Sequence, residues 1–99
     1  MNILLLGDIM GPSGRKAINE ELPKIIKKKK IDFTIVNGEN AGDLGVGITE
    51  KIFLDFLNAG ADVVTTGNHV WDEKEAIEFI IKEKRLLRPQ NLTKGSPGN

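Results

Sequence analysis

The sequence predicts an α/β fold, a parallel sheet built from successive βαβ units. Two observations carry that prediction. Short apolar runs alternate three times with amphipathic stretches of helical period, and each apolar run stops at a glycine beside polar residues, at Gly7-Asp8, Gly38-Glu39-Asn40 and Gly67-Asn68-His69.

The elements follow in order. Ile3–Leu6 is a continuous apolar run closed by Gly7-Asp8, the pattern of a strand buried on both faces. From Ser13 the spacing turns helical, with Ala17, Ile18, Leu22, Ile25 and Ile26 on one side. Pro23 falls inside that pattern and predicts a kink or two abutting helical pieces. Lys27-Lys28-Lys29-Lys30 reads first as the solvated end of this helix, where cations meet the negative end of the dipole, and second as a phosphate-steering patch. Phe33–Val36 is the second strand. A glycine-rich loop, Gly42 to Gly47, leads to Thr49 as N-cap of a helix over 50–59, with Ile52, Phe53, Phe56 and Leu57 as its buried stripe and Gly60 as its stop. Val63–Thr66 is the third strand. Asp72 with Glu75 reads as a capping box for a third helix, in which Ala76, Ile77, Ile80 and Ile81 face inward. Trp71 is read as a packing lid over that helix ahead of a substrate-stacking platform. Leu86-Leu87-Arg88 begins a fourth strand before Pro89, and the segment from Thr93 onward is turn-like. A parallel sheet calls for helices on both faces; three crossovers supply part of that cover and leave the sheet edges open.

Composition narrows the function classes. The chain has 99 residues, enough for a single small domain over 1–99. Fourteen basic residues balance fourteen acidic ones, so no whole-chain electrostatic footprint for nucleic acid or an anionic membrane arises. The absence of cysteine excludes disulfides, a thiolate nucleophile and Cys-ligated zinc. The apolar run at Ile3–Leu6 is too short for a signal segment or a membrane span, which makes the cytoplasm the expected location.

The chemistry is expected at the carboxyl edge of the sheet. Asp8 follows the first strand, Glu39 and Asn40 the second, and Asn68 and His69 the third. Open parallel sheets bind ligands at that edge, so residues roughly thirty apart, one βαβ unit, converge there. Taken singly, each is an ordinary loop or turn residue. Together, two carboxylates and amide oxygens form a hard-donor set suited to Mg²⁺, Mn²⁺ or Fe. A carboxylate placed between other ligating groups bridges two cations, as two-metal phosphoryl chemistry requires, and His69 meets the substrate as a general acid.

The segments "LLLGDIMGPSGR", "FTIVNGENA", "GITEKIF", "NAGADVVTTGNHVWD" and "LLRPQNL" occur in the order seen in the calcineurin-like metallophosphoesterases. More narrowly, the chain resembles the N-terminal portion of the bacterial 2′,3′-cyclic-nucleotide 2′-phosphodiesterase group related to YmdB. Gly-Asn-His belongs to the wider superfamily, whereas Gly-Glu-Asn points to this branch. The resemblance implies the N-terminal half of a metallophosphoesterase-type fold and two divalent metal ions, Fe or Mn first and Mg or Zn as alternatives. It implies that Asp8 binds the first metal, Glu39 bridges, Asn40 assists and Asn68 binds the second. Hydroxide then attacks phosphorus in line, and His69 protonates the departing ribose oxygen. The implied substrate is a small phosphodiester such as a cyclic nucleotide, with an RNA end as another. The superfamily's Asp-x-His pair is broken by Met10, as this branch has it. The family's remaining ligands are C-terminal histidines, including a Gly-His-Thr-His-type loop, and His69 is the single histidine here. The chain is therefore expected to be a partial form, inactive alone, that associates as a homo-oligomer or through its open sheet edges.

Two other readings belong to different classes. Gly7, Gly11 and Gly14 resemble a phosphate-cradling loop of a non-hydrolytic nucleotide-binding module, although the spacing departs from the dinucleotide fingerprint. Alternatively, the chain is a subunit whose sheet another polypeptide completes.

Overall fold

The computed structural model describes residues 1–45, 47–67, 79–88 and 98. Its elements are β1 (Ile3–Asp8), α1 (Gly11–Lys29), β2 (Phe33–Asn37), α2 (Glu50–Ala59), β3 (Val63–Thr65) and β4 (Leu86–Leu87), and residues 79–82 are helical. The four strands form one parallel sheet in the order β1-β2-β3-β4.

Register decides which face is core. Leu4 pairs with Thr34, Leu6 with Val36, Val36 with Val64 and Val64 with Leu86. Partners in register share a face, and this face is the buried one: Thr34, Val36, Val64 and Leu86 are inaccessible, packed with Ile18 and Leu22 of α1, Ile52, Phe53 and Phe56 of α2, and Phe79 and Ile80. The Phe53 and Phe79 rings lie 5.9 Å apart. The opposite face carries Ile3, Leu5, Phe33, Ile35 and Val63, none of which is buried.

That asymmetry corrects the expectation that β1 is buried on both faces, since Ile3 is 55% and Leu5 70% exposed. The cause is strand order. Right-handed crossovers that step in one direction along the sheet all fall on the same side, so α1, α2 and the 79–82 segment cover one face together. Within the helices, Ala17 is exposed while Ile18 and Leu22 are buried. Ile81 is 60% exposed and only Ile80 of that pair faces inward, because adjacent helical positions diverge by about 100°. The predicted capping box at Asp72, together with Trp71, Ala76, Ile77 and all of the 93–99 segment except Gly98, lies outside the described residues.

Pro23 does not break α1 into two pieces; the helix runs without interruption from Gly11 to Lys29. The carbonyl that loses its partner belongs to Asn19, and both Asn19 and Pro23 are exposed, so the lost bond falls on the solvent-facing side of the helix and not in the core. The helix ends where Lys30 turns left-handed (φ 53°) and donates its N–H to the Ile26 carbonyl. The Asn2 amide donates to the Lys29 and Lys30 carbonyls. At α2, Thr49 Oγ1 accepts from Ile52 N at 3.2 Å, the N-cap the sequence predicts. Gly60 (φ 121°) closes that helix, and a methyl there would collide with the Ile26 side chain, so this glycine permits α1 and α2 to approach.

The amino edge of the sheet is tied by two similar exchanges. Asn2 N donates to the Asp32 carboxylate and Asp32 N to the Asn2 carbonyl; Thr34 N donates to Asp62 and Asp62 N to the Thr34 carbonyl. These two aspartates have structural work at the edge opposite the candidate site.

Candidate metal centre

The four strands end level with one another. Asp8 pairs with Asn37, Asn37 with Thr65 and Thr65 with Leu87, so the chain leaves the sheet along a straight row. In β1 the register slips by one residue between Leu6 and Asp8. This bulge takes Asp8 out of the phase of the half-buried, core-facing Leu4 and Leu6 and aligns it with Asn37. An acidic side chain that strict alternation would send into the core is thereby delivered to the edge.

The turn after β2 sets the next two residues. Asn37 Oδ1 accepts from Glu39 N at 3.0 Å, an Asx turn that folds the chain back at Gly38. Gly47 N donates to the Glu39 carbonyl at 2.7 Å, and Gly11 N donates to the Asn40 carbonyl at 2.9 Å. The backbone on either side of Glu39-Asn40 is thus held by three separate segments. Arg15, on α1 with Gly11, adds a further tie: its guanidinium donates to the Ala41 carbonyl at 2.6 Å and to Asp43 at 2.7 Å, pinning the glycine-rich loop to α1.

The side chains then meet. Asn40 Nδ2 lies 2.9 Å from both carboxylate oxygens of Asp8. Asn40 Oδ1 is buried and has no hydrogen-bond partner among the described residues. A buried amide oxygen left unpaired costs about 1–3 kcal/mol, and a cation is one group that would satisfy it. The Glu39 carboxylate rests against Gly67, the residue just before Asn68-His69. Asp8, Glu39 and Asn40 are therefore gathered at one edge, as the sequence predicts. Asn68 and His69 lie outside the described residues. Among the described residues no three His, Cys, Asp or Glu side chains cluster as a metal cage. A concavity of about 500 Å³ on the outer face of α2, lined by Glu50, Lys51, Leu54, Asp55 and Asn58, lies apart from these groups.

The phosphate-cradle alternative fares poorly at the start of α1. Gly11 spends its N–H on Asn40, Pro12 has none, and the Gly14 N–H returns to the Met10 carbonyl. Three of the first four helical positions thus offer no free donor. Sequence reasoning missed two residues that shape the site, Asn37 and Arg15. The first was legible as an Asx turn in Asn-Gly-Glu; the second acts across 26 residues and leaves no local signal.

A parallel sheet with alternating helices, carrying Asp8, Glu39 and Asn40 at its carboxyl edge, is an α/β arrangement of the metallophosphoesterase type. The chain belongs to the family described as YmdB-like protein, which it matches over residues 4–99. It is 48% identical over 98 residues to the 2′,3′-cyclic-nucleotide 2′-phosphodiesterase of Bacillus subtilis (strain 168), covering 99% of this chain and 37% of that protein. It is 37% identical over 92 residues to a protein of Mycoplasma genitalium named putative phosphatase/phosphodiesterase MG246, covering 93% of this chain and 32% of the relative. The chain thus spans about a third of the length of the curated relatives it matches. Among solved structures, a hypothetical protein from Thermus thermophilus superposes with a TM-score of 0.90 at 36% identity, over 100% of this chain and 38% of that one. A phosphatase from Mycoplasma pneumoniae superposes with a TM-score of 0.87 at 33% identity, over 97% of this chain and 36% of that one. No helix among the described residues is long and apolar enough to cross a membrane.

Proposed function

We propose that this chain supplies the oxygen-donor part of a two-metal phosphodiesterase centre acting on a 2′,3′-cyclic nucleotide or a related phosphodiester. The observation that carries the reading is the Asp8–Asn40 pair with its buried, unpartnered Asn40 Oδ1, set beside Glu39 at the carboxyl edge. The similarity to a relative named for cyclic-nucleotide hydrolysis supplies the substrate class.

The residues present fit divalent cations. Two carboxylates and an amide oxygen are hard donors for Mn²⁺ or Fe²⁺, with Mg²⁺ and Zn²⁺ next. Asp8 would hold one cation, Glu39 would be shared between two, Asn40 would add its amide oxygen, and Asn68 would serve the second. When bound, such a pair neutralises phosphodiester charge and acidifies water. The remaining work falls to the chain itself. Asn40 Nδ2 orients the Asp8 carboxylate, the Asx turn at Asn37 aims Glu39, and Arg15 keeps the loop behind them closed. His69 follows two residues after Gly67 and would give its proton to the departing ribose oxygen. With a single histidine, the isolated chain is expected to bind cations weakly and turn over little.

The test is a chimera in which residues 1–99 replace the matching segment of the Bacillus subtilis relative. It should hydrolyse 2′,3′-cyclic AMP with added Mn²⁺ and stop in chelator. Glu39→Gln should reduce the rate by at least about 100-fold, and His69→Ala by about 10²–10⁴-fold. Chelator-resistant hydrolysis, or full activity in Glu39→Gln, would overturn the proposal.

A further inference from the structure

The Glu39 carboxylate lies so close to Gly67 that a methyl on its Cα would fall inside the carboxylate, with Cδ and both oxygens in the way. We infer that Gly67 is a positioning residue: its missing side chain is the seat that fixes where Glu39 presents its oxygens. The inference deepens the proposed metal centre and rests on that reading.

Both sides of the seat are anchored. Glu39 is held by its N–H to Asn37 Oδ1 and by its carbonyl from Gly47 N. Thr66, immediately before Gly67, is held by its N–H and its Oγ1, both donated to the Leu87 carbonyl at 2.9 and 2.6 Å. Gly38 N donates to the Thr65 carbonyl at 2.8 Å, locking the end of β2 to the end of β3. Both backbones are tied by these bonds, so a side chain at 67 displaces the carboxylate before it displaces either backbone.

Two features separate this role from ordinary glycine requirements. Gly67 is absent from the glycines with positive φ, so alanine adopts its backbone conformation without strain. The groups a methyl meets belong to the flexible end of Glu39 and not to the core. Gly67→Ala should therefore leave the fold standing while it moves the very group that binds the cation. Gly38 is different, since a methyl there meets Ile48 and Val64 in the core.

The experiment uses this chain and Mn²⁺ as the probe, in three variants: Gly67→Ala, Glu39→Asp and the double substitution. Aspartate is one methylene shorter and leaves space for a methyl at 67. Side-chain NMR without metal reads the Glu39 rotamer, thermal melting reads the fold, and paramagnetic broadening reads Mn²⁺ binding. Gly67→Ala should melt at or above the wild-type temperature, change the Glu39 rotamer, and weaken Mn²⁺ binding about 10–100-fold. Adding Glu39→Asp should recover part of that loss, although Glu39→Asp alone weakens binding. An unchanged rotamer or unchanged Mn²⁺ binding in Gly67→Ala would overturn the inference, as would failure of Glu39→Asp to rescue a folded Gly67→Ala chain. Failure of the underlying metal reading has its own signature: the wild-type chain itself would show no broadening at Glu39, whatever the metal-free rotamers do.

Discussion

Replacing Arg15 by alanine tests how the glycine-rich loop is held. The side chain is 20% exposed and makes two contacts of unequal worth. Its bond to the Ala41 carbonyl, 2.6 Å, serves a residue with no accessible surface, and charge-assisted bonds of that kind contribute about 1.5–3 kcal/mol. Its ion pair with Asp43 faces a side chain that is 80% exposed, and such pairs contribute about 0–1 kcal/mol. Arg15→Ala should therefore cost about 2–3 kcal/mol and Asp43→Ala less than about 1 kcal/mol. Arg15→Lys keeps the charge but loses the planar fork, so its cost should fall between these values. Urea unfolding monitored by circular dichroism gives the differences as midpoint shifts at constant slope. If Asp43→Ala instead destabilises as much as Arg15→Ala, the ion pair and not the bond to the buried carbonyl holds the loop.

Three further outcomes follow from the packing and charge of the chain. Gly38→Ala puts a methyl 2.9 Å from Ile48 Cδ1 and 3.0 Å from Val64 Cγ1; overpacking of this kind should cost about 1–3 kcal/mol, read by thermal melting. Leu5→Glu, on the open sheet face, should change stability by less than about 0.5 kcal/mol and reduce self-association in sedimentation velocity, because Leu5 is already 70% exposed. The hydrogen-bonded Arg85 guanidinium holds the Glu83 carboxyl below its ordinary range. A depressed carboxylate stabilises above its unfolded pKa, and that contribution is lost as pH falls through the folded value; in Arg85→Ala the Glu83 titration, followed by NMR, should move upward.

The strand ends were legible because their signals are local. Apolar runs closed by Gly7-Asp8, Gly38-Glu39-Asn40 and Gly67-Asn68 mark where a parallel sheet releases its chain, and the observed row from Asp8 to Thr65 sits there. Thr49 and Gly60 were equally plain, being caps that act within one turn of helix. The one-sided cover of the sheet was not legible. An apolar run such as Ile3–Leu6 reads the same whether helices lie on two faces or one, and strand order decides between them. Nor does sequence reveal that Arg15 finds the Ala41 carbonyl or that Glu39 lies on Gly67, since each contact joins segments a full βα unit apart. The β1 bulge is hidden for the same reason: it exists only relative to the register of β2.

The central claim is that Asp8, Glu39 and Asn40 form a cation-binding edge, and Mn²⁺ titration of the isotopically labelled chain followed by NMR tests it most directly. Substoichiometric Mn²⁺ should selectively broaden resonances of Asp8, Glu39, Asn40 and Gly67, and Glu39→Gln or Asp8→Asn should remove the effect. Broadening confined to the exposed carboxylates of α2, Glu50 and Asp55, or spread evenly over acidic residues, would contradict it.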